Sequence, residues 1–159
     1  MVRWCYALAA ACLVVVAVLA AVLGEAVPRT YEPTLGDLMT MTVQPRHAKL
    51  ALAGREQNWP YAAYELHELG EAFKRVAHLR PRWRHVPVAD MIKSVVKAPM
   101  DAMAQAISAH DQAGFAAAYG RLTDACNACH QSAERGMVVI QAPSGVSRFP
   151  DQDFRPVKP

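Results

Sequence analysis

Two cysteines and one histidine near the C-terminal end of this chain have a chemically informative spacing. Cys126, Cys129 and His130 form a Cys-x-x-Cys-His motif within the stretch TDACNACHQSAERG. On a helix, residues three or four positions apart project from the same face, so the thiols and the imidazole would lie side by side. This pentapeptide is typical of haem c attachment, in which two thiols add across the porphyrin vinyl groups. The histidine is then predicted to be the proximal iron ligand.

Other uses of the same residues have less support in the sequence. A thioredoxin-like redox pair is expected between a strand and a helix, and no strand pattern precedes the motif. A zinc site usually needs four ligands, and the sequence has no second Cys-x-x-Cys pair. The remaining cysteines, Cys5 and Cys12, lie in an apolar leader. One covalently bound haem c is therefore the predicted cofactor.

The N-terminus is predicted to be an export signal. Arg3 is followed by an uncharged apolar stretch over residues 4–23, and Gly24 and Ala26 provide small side chains at the spacing that signal peptidase recognises. Residues 1–26 are therefore predicted to be a signal peptide, cleaved after Ala26. The alternative is an uncleaved membrane anchor, because an apolar stretch of this length can span a bilayer. Both interpretations place the folded part outside the cytoplasm, in the periplasm.

The rest of the chain has the apolar spacing of helices rather than strands. The predicted helices cover residues 35–53, 60–80, 88–109 and 111–136. Pro45 is expected to kink or split the first helix, and Pro99 is expected to do the same to the third. Four amphipathic helices with short connections predict an all-α fold, a four-helix bundle over residues 27–136. Residues 137–159 are predicted to be an irregular tail.

The apolar stripe of the last predicted helix contains both cysteines of the motif. Phe115, Tyr119, Leu122, Cys126 and Cys129 follow one another at alternating intervals of four and three residues. The thiols are therefore expected to face the core.

Taken with the motif, these helices resemble the cytochrome c′-like family, the class II c-type cytochromes. The resemblance covers residues 35–136 and rests on CNACH in the last helix and on RHAKL, residues 46–50, in the first. The second stretch is similar to the family's Arg-x-x-x-Leu/Met pattern, whose last residue faces the distal side of the haem. The resemblance therefore implies that Leu50 forms the distal wall. Members of the family often dimerise, so a homodimer is a candidate assembly.

The sixth iron ligand separates the candidate functions. An apolar residue such as Leu50 leaves a vacant site that can bind NO or CO, whereas a methionine gives six-coordinate iron with a raised potential. Met39 and Met41 are candidate distal ligands, although methionines in apolar stripes more often fill the core. His47 lies one turn before Leu50 and is a further candidate. The simpler interpretation of His47 is a histidine that faces solvent or bonds a haem propionate.

The predicted function is therefore electron transfer by an exported, mono-haem c-type cytochrome that docks on redox partner proteins. The alternative is a cytochrome that binds NO or CO at a vacant distal site, and a third possibility is a non-haem domain in which the motif is incidental. An enzymatic activity is not predicted, because the sequence shows no acid–base pair beyond the haem. The chain has 17 basic and 14 acidic residues, a balance that does not favour a nucleic-acid partner. Membrane contact is expected only if the leader is retained.

Overall fold

The computed structural model describes residues 2–25, 31–144, 147 and 149–157 of the chain. Within these residues the secondary structure is helical, apart from one isolated bridge between Trp83 and Val86. The all-α prediction is confirmed. The chain divides into two compact units, residues 1–32 and residues 33–159.

The N-terminal unit contains helix α1 (Val2–Glu25). Its described side chains, Trp4 and Leu13 among them, are exposed. Across the described ranges, no helix has the combination of length and hydropathy needed to cross a membrane. The predicted cleavage position after Ala26 lies outside the described residues.

The first predicted helix is split into three parts. Helix α2 (Leu35–Leu38) leads into a π-helical turn (Met39–Val43), which is followed by helix α3 (Gln44–Arg55). The Gln44 N–H donates to the Met39 carbonyl, five residues back, rather than to the carbonyl four residues back. A proline inside a regular helix is costly, because it lacks an N–H and its ring crowds the preceding turn. The wider π turn accommodates this break, so the predicted split at Pro45 is confirmed.

Three longer helices follow, namely α4 (Trp59–Leu79), α5 (Val88–Ser108) and α6 (Gln112–Ser132). Helix α3 packs on α4, α4 on α5, α5 on α6, and α6 on α3. Each of these four helices contributes a fully buried side chain to a common core: Leu50, Leu69, Met103 and Leu122. Pro99 was predicted to kink or split the third helix, and α5 is not split there, since it continues through this residue.

Three helices end in the same way, with a residue other than glycine in the left-handed conformation. Gln57, His110 and Glu134 have φ angles of 55°, 54° and 56°. After α6, the Glu134 and Arg135 N–H groups donate to carbonyls three and five residues back, which is the Schellman pattern. Helix α6 therefore ends at Ser132, four residues before the predicted end at Gly136, because Glu134 rather than the glycine turns the chain.

The predicted tail has no helix or strand among its described residues, but it packs on the helical core. The Phe154 side chain is only 5% exposed, and its ring stacks on Tyr61 with 5.6 Å between centroids. The Asn58 side-chain amide, at the start of α4, donates to the Phe154 and Arg155 carbonyls. The end of the chain therefore contributes to the core.

Candidate haem site

The wall of an apolar cavity of about 110 Å³ includes both cysteines and the histidine of the motif. Helix α6 contributes Cys126, Cys129 and His130, and the π turn contributes Met39 and Val43. The π turn also contributes Thr40, and α6 also contributes Ala125. The remaining walls come from α3, α4, α5 and the segment after α6, namely Gln44, His47, Phe73, Ile92, Val95, Val96, Val138 and Ile140. The structure therefore brings Met39 and His47 to the cavity that the motif lines.

Two of the predicted distal residues lie elsewhere. Leu50, the expected distal wall, is fully buried in the helical core and does not line this cavity. Met41 is 69% exposed and is also absent from the wall. Because His47 already lies level with Tyr119, one to two turns before Cys126, a residue further along α3 is too far from the motif.

Burial changes the acidity of both thiols. Burial, and then the neighbouring Cys129 thiol, raise the pKa of Cys126 to about 11. Burial also raises the pKa of Cys129. Both cysteines are free, and both thiols are protonated at neutral pH. Catalytic dithiols instead have lowered pKa values, so this site does not favour thiol–disulfide exchange.

The half-buried His130 has a defined protonation pattern. Its Nδ1 lies 2.7 Å from the Val138 carbonyl oxygen. A carbonyl oxygen can only accept, so Nδ1 carries a proton, and in the neutral ring the lone pair is then on Nε2. Histidine ligands of metals usually donate their second nitrogen in this way to a carbonyl or carboxylate. The imidazole is therefore in the tautomer that an iron ligand requires.

The carbonyl that orients His130 belongs to an irregular segment, residues 137–140, which we call the strap. The Asn127 side-chain oxygen accepts from the Ile140 N–H at 2.7 Å. Its side-chain nitrogen donates to the Ile140 carbonyl at 2.9 Å. The strap thus lies along α6 and closes one side of the cavity with Val138 and Ile140.

His47 belongs to a buried polar network one to two turns before the motif. Its Nδ1 is 2.9 Å from the Tyr119 hydroxyl, and its Nε2 is 3.2 Å from the Thr123 hydroxyl. Burial lowers the pKa of His47 to about 4, so the ring is neutral at neutral pH. The side chain is only 4% exposed, so the solvent-facing interpretation of His47 is wrong. Both ring nitrogens are already hydrogen-bonded, which disfavours His47 as an iron ligand.

The thiols and the imidazole fit a covalent haem, whereas the cavity that they line is small for one. Free thiols, an oriented imidazole and apolar walls meet at one cavity. Ligand pockets usually measure roughly 300–1,000 Å³, which is larger than this cavity. A second cavity of about 310 Å³ shares Thr40, Gln44, His47 and Ile140 as a common wall.

Comparisons with protein-family models, curated proteins and solved structures find no match to this chain. Among the described residues, no group of three or more His, Cys, Asp or Glu side chains is placed to hold a metal ion. The interpretation of the site therefore depends on its own geometry.

Sequence analysis did not identify Asn127, the Val138 carbonyl or the Tyr119–Thr123 network as parts of the site. Hydrogen bonds to an irregular segment leave no periodic signal, so the strap contacts could not be predicted. The position of Met39 follows from the burial pattern of the structure, in which the buried residues Leu38 and Val43 are five residues apart. That interval is too long for one α-helical face and fits a π turn.

Proposed function

We propose that this protein is an exported, mono-haem c-type cytochrome that transfers electrons in the periplasm. Cys126 and Cys129 would hold the haem covalently, and His130 would be its proximal iron ligand. The observation that carries the proposal is the protonated Nδ1 of His130, which leaves Nε2 available beside two free thiols. When bound, haem supplies a one-electron ferric–ferrous couple. Helices α3 to α6 would form a four-helix bundle of the cytochrome c′-like type around it.

Met39 is the distal ligand that the geometry favours. It is half-buried and lines the same cavity as His130, but from the π turn before α3 rather than from α6. A thioether opposite a histidine raises the potential of haem iron, which suits an electron carrier. Redox partner proteins would exchange electrons with it by transient docking.

Binding of NO or CO at a vacant distal site is the second candidate function. Val43 lies next to Met39 in the cavity wall, and its side chain cannot coordinate iron. His47 has both nitrogens occupied by α6 hydroxyls. If Met39 stays in the apolar wall, the distal position would therefore be open to a small gas.

The first test is covalent haem content. We expect the full chain, expressed with a c-type haem-attachment system, to carry haem that stays on the protein in denaturing electrophoresis. Cys126→Ala and Cys129→Ala should lose most of it, because each removes one thioether. Cys12→Ala is the matched control, since this thiol lies in α1, and it should keep the haem. Equal haem in all variants would overturn the assignment.

The second test separates the two functions by optical spectroscopy of the reduced protein with and without CO. Met39 ligation predicts a low-spin spectrum that CO leaves unchanged, and Met39→Leu should convert it into a high-spin, CO-sensitive one. Met41→Leu is the control, because Met41 is exposed and outside the cavity wall. A wild-type spectrum that responds to CO would instead favour gas binding.

A further inference from the structure

Asn127 occupies one of the two variable positions of the Cys-x-x-Cys-His motif, so the motif itself does not specify its identity. In the structure, its side chain forms two hydrogen bonds with the backbone of one residue, Ile140. A side-chain amide that both donates to and accepts from one residue imitates a neighbouring β-strand. This pairing fixes the strap against α6 thirteen residues further along the chain.

The strap contacts are spaced to match α6. Asn127 and His130 are three residues apart and share one face of the helix. Val138 and Ile140 are two residues apart, and both line the same cavity. Asn127 binds the backbone of Ile140, and His130 binds that of Val138. Two side chains of α6 are therefore hydrogen-bonded to the strap.

Little else among the described contacts holds the strap. Met137, Val138 and Val139 are exposed, at 76%, 47% and 63%. The remaining backbone hydrogen bond of the described strap runs from the Val138 N–H to the Arg135 carbonyl. Apart from that turn bond, the hydrogen bonds that tie the strap to α6 are those of Asn127 and His130.

We infer that Asn127 is a positioning residue for His130, acting through the strap. The Asn127 side chain binds the backbone of Ile140 and so holds the strap against α6. The strap then presents the Val138 carbonyl to His130, and this carbonyl keeps the proton of the imidazole on Nδ1. The role of His130 toward iron rests on the proposed function, whereas the effect on its tautomer is a property of the chain alone. Loss of a partner that orients a ligand in this way weakens ligand basicity.

The test begins with the full chain produced without haem attachment and measures the His130 tautomer by ¹⁵N–¹H nuclear magnetic resonance. We expect wild-type His130 to hold its proton on Nδ1. Asn127→Ala should mix the two tautomers and speed Nδ1–H exchange roughly tenfold, the usual effect of losing one hydrogen bond. Asn127→Asp keeps the acceptor but not the donor and should give an intermediate value. Gln131→Ala, an exposed amide on the same helix, is the control.

The second measurement uses the haem-loaded protein. Loss of the Val138 bond makes His130 a weaker donor to ferric iron, so Asn127→Ala should shift the reduction potential to more positive values. Gln131→Ala should leave it unchanged. An unaltered His130 tautomer in both Asn127 variants, with unchanged circular dichroism, would overturn the inference. Absence of covalent haem in the wild type would overturn the proposed function but leave the tautomer result valid.

Discussion

At the scale of single residues, the buried imidazole of His47 makes the site sensitive to pH. The ring is hydrogen-bonded to two hydroxyls and contacts the Tyr119 ring, with centroids 4.6 Å apart. None of these partners carries a charge at neutral pH, since burial also raises the pKa of the Tyr119 hydroxyl. Protonation of His47 would therefore create a buried charge without a counterion.

The stability of the fold should consequently fall as the pH is lowered from 6.5 to 4. In this window unfolded His47 binds a proton and native His47, with a pKa of about 4, does not. The free energy of unfolding should lose about 3 kcal/mol through this residue. Denaturant titrations at both pH limits measure it. His47→Gln should reduce the pH dependence by that amount, and His67→Gln, on an exposed position, should leave it unchanged.

The secondary structure was largely predictable because it follows from apolar spacing and from proline. The starts of α4 and α5 and the split at Pro45 were predicted correctly. The end of α6 was not predicted correctly. Glu134 has no sequence feature that marks a Schellman turn, and Gly136 is the residue type that usually ends a helix.

Within the site, Cys126, Cys129 and His130 are adjacent in sequence and were found together. The position of Leu50 could not be predicted, because it depends on which part of α6 lies beside α3, and His47 already contacts Tyr119.

At the scale of elements, the left-handed residue after α6 is a source of strain that one substitution can remove. A side chain with a Cβ atom in this conformation costs roughly 1–2 kcal/mol, and glycine avoids that cost. We expect Glu134→Gly to raise the free energy of unfolding by about 1 kcal/mol. Arg121→Gly, at an exposed position within α6, should lower it by about 1 kcal/mol. Equal effects of the two substitutions in urea denaturation would contradict this explanation.

For the whole molecule, the C-terminal residues are part of the folded unit rather than an appendage. Phe154 is buried against Tyr61, and two carbonyls beside it are bound by Asn58. Phe154→Ala should therefore lower the free energy of unfolding by roughly 3 kcal/mol. Val157→Ala is the control, because this side chain is 92% exposed. Thermal or urea unfolding that is equally unaffected by both changes would show that the tail does not stabilise the core.

The π-helical turn also determines how this chain must be aligned with others. A π turn is equivalent to one residue inserted into an α-helix, and each inserted residue rotates the later part of the helix by about 100°. Residues on the two sides of Met39–Val43 therefore belong to different helical phases. An alignment with an uninterrupted helix needs a one-residue gap in this segment. Without the gap, a match made through Arg46 and Leu50 would align the residues before the turn one position away from their structural equivalents.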